Sequence, residues 1–442
     1  MKNRLAISRA AMFGAAALAG VAASPANAVV VVGGDNGWEV SFDGNIHSFY
    51  INSSTDSTPR QASGGALNGV TLEALAPDQD VSRVRTGLLP TVFAFNVKSP
   101  VVNGLQAKGR FGFYPQTQAN CNPNCKNTFG AQVDLREAFF DVEGSFGTIS
   151  VGRTLSLFQR HNILTDMTLF GVGVHGVTKG GGTTLGRIGW GYVYPQFNSR
   201  IAYKTPNVNG FQLEVGMYDP SVIAGSGMVA TITDTPRFEA EASYATKFDQ
   251  GTLKFWFGGM FQDAEFTAGT VGAGNVQLGG TDVSASGFHG GVQATWGGFD
   301  FVFSGYSGSG LGLTLMLDTD SLDAQGTERD NDGFIVQGAY TFNGKTKIGV
   351  SYGESNADET NWEHARRVPG TFLPGTATVG CTTAGANCVS EASSQDAWTI
   401  GVYHDITSWL KVVAEYTNSN TEWQGGETMS TDTFAVGSFF FW

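Results

Sequence analysis

The stretch Leu135-Arg136-Glu137-Ala138-Phe139-Phe140-Asp141-Val142, Glu143-Gly144-Ser145-Phe146-Gly147, Thr148-Ile149-Ser150-Val151-Gly152-Arg153 decides the fold. Apolar and polar residues alternate on both sides of a tight Gly-Ser-Phe-Gly connection, which is the pattern of two strands with one wet face and one dry face. A long segment rich in Gly and Thr follows. The chain then resumes alternation as Asn198-Ser199-Arg200-Ile201-Ala202-Tyr203-Lys204-Thr205-Pro206. A connection of that length is rare in a compact domain unless it has a function. We read residues 130–206 as barrel strands carrying a loop that folds into the bore and narrows it.

Working outward, the first residues are set apart. Lys2, Arg4 and Arg9 precede an apolar run over 10–23, and Ala26-Asn27-Ala28 is a small-residue cleavage motif. Residues 1–28 therefore read as a secretory signal peptide, and 29–442 as the exported barrel. The formal charge of −13 argues against nucleic acid as a partner. Export permits disulfides, and the four cysteines form two close pairs in loops, so Cys121–Cys125 and Cys381–Cys388 are expected as local staples. Each closes a short loop and is worth about 2–3 kcal/mol at most. No His lies near either pair at ligand spacing, so no metal site is expected there.

Residues 29–442 contain no apolar run long enough for a membrane helix. They are rich in Gly and Phe (61 and 32 in the whole chain), and alternation recurs along their length. Phe211, Leu213, Val215 and Met217 alternate with Gln212, Glu214 and Gly216; Phe238, Ala240, Ala242 and Tyr244 with Glu239, Glu241 and Ser243; Phe288, Val292 and Trp296 with His289 and Gln293. Tight connections such as 206–210 (Pro-Asn-Val-Asn-Gly) and 343–345 (Asn-Gly-Lys) alternate strictly with long polar ones near 53–80, 115–129, 156–196, 219–236, 263–284, 308–330, 355–393 and 420–430. Short turns on one side and long loops on the other fit an all-β, transmembrane antiparallel β-barrel of about 16 strands, wide enough for an aqueous channel.

The run from Ser145 to Arg153, the long third loop, the return over 198–206 and the following "NVNGFQLEVGMY" resemble the Gram-negative general porins. The last strand ends on Trp442, an aromatic residue where that family ends in Phe. The resemblance implies an outer-membrane location in a Gram-negative bacterium, a homotrimer and a constriction loop, here about 154–196. It further implies that Arg136 and Arg153 line the wall.

Strand parity supplies other candidates. Lys108 and Arg110 oppose an apolar row, as do Arg200 and Lys204. Glu214, Glu239 and Glu241 form an opposite, acidic wall by the same test. A Lys or Arg facing lipid at mid-membrane would cost roughly 2–4 kcal/mol, which supports turning these charges inward. Arg153 shares parity with Ile149 and Val151, so it needs a bulge at Gly152 or a place beyond the membrane edge. Arg83 and Arg85 share a face, but Pro90 interrupts their strand. On the loop itself Asp166 is the only acid, beside Arg160, His161, His175, Lys179 and Arg187. The bland reading of any one of these residues is solvated lining. As a cluster they predict a positive constriction and anion preference, with the excess acid placed in solvated outer loops such as Asp318–Asp323.

The function implied is a water-filled channel for passive diffusion of small hydrophilic solutes and ions, requiring no cofactor and catalysing no reaction. Rival readings are a substrate-selective anion channel for phosphate or organic acids, and a barrel-borne adhesin or enzyme. Outer-membrane lipid and lipopolysaccharide are the expected surroundings, with acidic outer loops as candidates for divalent cations.

Overall fold

The computed structural model describes residues 29–34, 36–56, 62–63, 79–119, 131–175, 182–225, 227–366, 390–424, 426 and 428–442. The expected signal peptide, all four cysteines and Lys179 lie outside these residues.

Alternation becomes structure as expected. The strands are β1 (Glu39–Thr55), β2 (Gln79–Arg85), β3 (Val92–Lys98), β4 (Gln106–Ala119), β5 (Ala131–Gly144), β6 (Gly147–Leu155), β7 (Phe197–Lys204), β8 (Phe211–Tyr218) and β9 (Arg237–Phe248). They continue as β10 (Gly251–Glu265), β11 (Asp282–Trp296), β12 (Phe299–Ser309), β13 (Asp330–Phe342), β14 (Thr346–Ala357), β15 (Ser390–Asp405), β16 (Leu410–Trp423) and β17 (Thr428–Phe441). Because β2 and β3 share one place in the wall, these make sixteen positions. Each pairs antiparallel with its neighbours, and β17 closes on β1 through Asn45↔Phe441 to Thr55↔Thr431. Closure leaves no open sheet edge, the condition for strands to cross a bilayer. No helix among the described residues is long and apolar enough to span a membrane.

The turns follow the chemistry of their residues. Asn103, Asn209 and Asn343 take positive φ of 52°, 52° and 48°, each followed by a Gly at positive φ, as tight hairpins require.

The two faces of the wall differ sharply. On β10, Phe255, Phe257 and Phe261 are exposed, Phe257 by 61 %, while Trp256 between them is 3 % exposed. The same outward row carries Phe288, Phe301, Phe303, Val350, Ile400 and Val436 on neighbouring strands. Trp296 and Trp409 stand exposed near strand ends, the positions of an interfacial aromatic belt.

Inward rows depart from expectation. They are polar near the short turns but largely apolar toward the long loops. Met260, Ala264, Val283, Ala285 and Tyr306 pack with Phe158, Val193, Ile223, Leu311, Met316, Leu317 and Leu322 from the loops. Across the barrel, Phe49, Ile51, Tyr403, Val413 and Phe439 pack with Met167 and Val172. The 308–330 connection, expected as a solvated acidic loop, is instead mostly buried, with Asp320, Ser321 and Asp323 fully so. Buried Leu311, Leu313, Met316 and Leu317 before its acids, and Leu322 among them, drive the burial.

Among the described residues the wall is interrupted between β2 and β3. At Thr86–Thr91, around Pro90, the chain leaves the sheet. Leu88 N–H donates to Gly171 O (2.9 Å), Leu89 N–H to Leu169 O (3.3 Å), and Thr184 N–H to Gly87 O (3.0 Å). Arg83 and Arg85 lie before this break, opposite the buried Ile51 and Phe49, so both face inward.

Replacing outward Phe257 with Lys should lower stability by about 2–4 kcal/mol in reversible folding into lipid vesicles. Replacing inward Gln293 with Lys should cost less than about 1 kcal/mol. Equal losses would reverse the face assignment.

Candidate functional site

The segment between β6 and β7 is heavily bonded to the wall. It opens at Leu157 and Phe158, whose backbone N–H groups both donate to Glu239 Oε2 on β9 (2.6 and 2.9 Å). A short helix α1 (Arg160–Thr165) follows, then a 3-10 turn over Met167–Phe170. The sequence did not signal these helical turns. Arg160 on α1 bonds Glu214 on β8 (3.1 Å) and Glu241 on β9 (2.6 Å), and Trp256 Nε1 on β10 donates to Asn162 (3.2 Å).

The segment then meets strand after strand. Met167 N–H donates to Gln337 on β13 (2.9 Å), whose amide returns a bond to Thr165 O. Val172 and Gly173 N–H both donate to Glu415 Oε2 on β16 (2.7 and 2.8 Å). His175 bonds Ser53 on β1 (3.1 Å) and Gly182 N–H donates to Gln116 on β4 (2.8 Å). Arg187 reaches Ser351 on β14 (2.8 Å) and Thr399 on β15 (2.6 Å), and the Tyr194 hydroxyl accepts from Arg136 on β5 (3.2 Å). These partners sit on the inward rows of strands distributed around the barrel. At Gly171 a Cβ would fall 1.8 Å from Glu415 Oε1, so glycine is required by close approach to that carboxylate.

The sequence-derived residues occupy two settings. Lys108, Arg110 and Arg136 lie on β4 and β5 and are partly exposed. Lys108 pairs with Glu143 (2.7 Å), and Arg110 with Asp43 (2.8 Å) and Glu137 (2.6 Å). Arg136 pairs with Asp134 (2.8 Å), its guanidinium over the rings of Tyr114 and Phe197 (5.8 and 5.6 Å). A register shift between Gly112 and Phe113 leaves Arg136 unpaired across the ladder, and this bulge lets it sit beside Glu137 on the inner side. Four acids that sequence reasoning missed, Asp43, Asp134, Glu137 and Glu143, thus neutralise the basic wall.

Arg200 bonds Glu214 (3.5 Å), Ser150 Oγ (3.3 Å) and Leu155 O (3.1 Å), while Lys204 stands half-buried opposite Thr148 and Glu214. The ladder runs unbroken through Gly152, at φ +117°, and leaves Arg153 exposed near the end of β6. Glu214, Glu239 and Glu241 do not form a free acidic wall: they hold the start of the 156–196 segment, with Arg237 also paired to Glu239 (2.9 Å). Asp166 is buried and turned into its own segment, accepting from Thr168 N–H (2.8 Å), Arg187 N–H (3.1 Å) and the Tyr192 hydroxyl (2.7 Å).

Among the described residues, no group of three or more His, Cys, Asp or Glu is placed to hold a metal ion. What the fold defines is a membrane-spanning barrel with a polar, charged inner wall, hence an outer-membrane channel. A sequence profile for Gram-negative porins matches residues 14–424. The chain belongs to that family, and is a channel protein of the bacterial outer membrane rather than an enzyme. Among solved structures it is similar to the outer membrane channel DcaP of Acinetobacter baumannii, at 12 % identity, over 94 % of this chain and 100 % of that one, with a TM-score of 0.62. It is also similar to the anion-selective porin from Comamonas acidovorans (11 % identity, 92 % and 100 % covered, TM-score 0.55) and to outer-membrane expressed OmpT of Vibrio cholerae (16 %, 94 % and 100 %, 0.51). At such identities the likeness shows the fold alone. No curated protein sequence matches the chain.

His175 gives the segment a pH dependence. Burial, with Arg85 and Arg83 adding to it, lowers its pKa from 6.5 to about 3. A docked imidazole that resists protonation favours docking above its free pKa, and docking weakens as pH falls through 6.5. Between pH 7 and pH 5 the loss should be about 2 kcal/mol. Amide exchange over 172–175 and 182–186, corrected for intrinsic rates, should therefore speed up at pH 5, and His175→Gln should abolish the difference. Equal corrected rates in the wild type would refute this coupling.

Proposed function

We propose that the chain is a passive diffusion channel for small hydrophilic solutes and ions, with anions preferred. Residues 156–196 fold into the lumen as its constriction, and residues 1–28 serve as the export signal. The single observation behind the constriction is that one connection bonds to inward side chains on β1, β4, β5, β8, β9, β10, β13, β14, β15 and β16. A segment outside the barrel could not reach them all. The solute path runs beside β4–β7, where Lys108, Arg110, Arg136 and Lys204 keep partial exposure.

Anion preference draws support from a narrower fact than the sequence suggested. The basic residues of β4 and β5 are matched by acids, so the field there is close to balanced. Buried Arg85 bonds only His175 and the carbonyls of Gly182 and Thr183 among the described residues, so its cation meets neutral acceptors there. A substrate-selective channel for phosphate or organic acids is the second reading, favoured by the same cation.

Assembly as a homotrimer is supported by the break at Thr86–Thr91. Residues 46–48 of β1 face neither β2 nor β3, whose registers stop at Phe49 and Asn45. At Ser48 the outward row carries the small polar residues Ser48, Thr117 and Ser438 between the exposed Ile46 and Tyr50. Hydrocarbon does not tolerate such a gap, so a second copy of the chain covers it. Farther along the strands, Asp396, Asp432, Asn418 and Asn420 bond one another beyond Trp398 and Tyr416. This outward polar zone suits lipopolysaccharide headgroups, with divalent cations between the anions.

Recording single channels from the purified protein in a planar bilayer under a salt gradient should give conductance in groups of three steps and a reversal potential on the anion side. Conductance that saturates with one anion would favour the selective channel. Correctly folded protein with no channel activity would overturn the constriction and diffusion reading.

A further inference from the structure

A second connection, residues 308–330 between β12 and β13, lies against inward side chains. It starts in a socket. Gly287 on β11 and Gly308 on β12 face each other across the ladder, on the row that carries His289 and Tyr306. A Cβ on Gly287 or Gly308 would fall 2.8 or 2.6 Å from Leu311 Cδ1, so the paired glycines leave the room that Leu311 fills. Leu311 and Gly312 N–H then both donate to Asn331 on β13 (3.1 and 3.2 Å). From there the connection reaches strands it does not join. Gln395 on β15 donates to Thr314 Oγ1 (3.1 Å), and Leu313 shares a buried cluster with Trp423 of β16 and Met429 of β17.

The same stretch meets the 156–196 connection. Tyr194 N–H donates to the Thr314 carbonyl (3.0 Å), and Gln196 Nε2 to the Met316 carbonyl (3.0 Å). The Gln395 amide also donates to the Gly189 carbonyl (2.7 Å), so one wall side chain ties both connections. Trp190 joins the cluster of Leu313. Neighbouring connections grip 308–330 in turn. Ala224 N–H donates to Leu317 O (3.0 Å), Ala273 N–H to Ala324 O (2.7 Å) and Thr360 Oγ1 to Asp323 (2.6 Å). Buried Arg329 pairs with Glu363 (3.2 Å).

We infer that residues 308–330 are a second size-limiting element of the channel, a clamp that fixes the 189–196 edge of the constriction and excludes oligosaccharide-sized solutes. This rests on the reading of residues 156–196 as the constriction and adds the element that sets its width. Size selection is made at the narrowest cross-section. A connection held only at the wall yields as a solute pushes past. One packed at interior density between the wall and a second connection does not yield. Along 189–196 the backbone meets Gln395 of the wall and Thr314 and Met316 of the clamp, so this edge cannot retreat. Passage is left to the side of β4–β7.

Single-channel conductance, and swelling of liposomes in sugars of rising size, test the clamp. In one variant residues 313–325 are exchanged for Gly and Ser at equal length. In a second, Gln395→Ala cuts the shared tie alone. A third, Arg160→Met, loosens the root of 156–196 without touching 308–330. The exchanged chain should conduct about two-fold more or better and admit trisaccharides that wild type excludes. Gln395→Ala should shift both readouts the same way by less, with noisier open channels. A heat-stable oligomer and circular dichroism confirm the barrel, and Gln395→Ala decides if the exchanged chain does not fold. Conductance that answers to Arg160→Met but to neither of the others overturns the clamp and leaves the constriction reading standing. Conductance and size limit unchanged in all three overturn both.

Discussion

Hydrocarbon offers no partner to a peptide group, and this constraint governs the molecule. Each backbone N–H and C=O crossing the membrane must be paired within the sheet, so the sheet must close. Closure is made by β17 on β1 over eleven consecutive residue pairs. It fixes the side-chain rows: once the wall is a cylinder, alternate residues have only lipid or lumen to face. Among the described residues, the departure at Thr86–Thr91 recovers hydrogen bonds from the 156–196 connection and from side chains. Thr86 N–H donates to Gln118 (3.0 Å) and Gly87 N–H to His47 Nε2 (3.2 Å). The break and the segment therefore depend on each other.

The 156–196 connection raises the opposite problem, a long backbone bonded by side chains of many strands. The wall meets it with side-chain acceptors that grip successive N–H groups. Glu239 takes those of Leu157 and Phe158, Glu415 those of Val172 and Gly173, and Gln337 and Gln116 one each. A carboxylate accepting two adjacent amides restricts position more than one hydrogen bond does, and charge assistance roughly doubles the strength of each. Apolar packing fills the intervals, which explains the Met, Ala and Phe residues on rows that alternation alone would make polar.

The strands were legible because a two-residue period is imposed by local geometry, as in Phe238 to Tyr244 or Phe288 to Trp296. Loop alternation gave the number of wall positions. The interior was less legible because its pairs are distant in sequence. Arg110 and Asp43 are 67 residues apart, and Arg160 and Glu241 are 81 apart. Parity assigned Lys108, Arg110, Glu214 and Glu241 to one face, and could not say that each would find an opposite charge. The Asp318–Asp323 run misled for a related reason: its acids suggested solvent, while Leu311, Leu313, Met316, Leu317 and Leu322 decided its place.

Pairing also changes what the interior charges do. Glu214 and Glu241 bind Arg160 of the 156–196 connection and so tie that connection to the wall. Asp43 and Glu137 flank Arg110 and hold its guanidinium between them, which offsets its charge. The same chemistry thus serves rigidity over most of the wall.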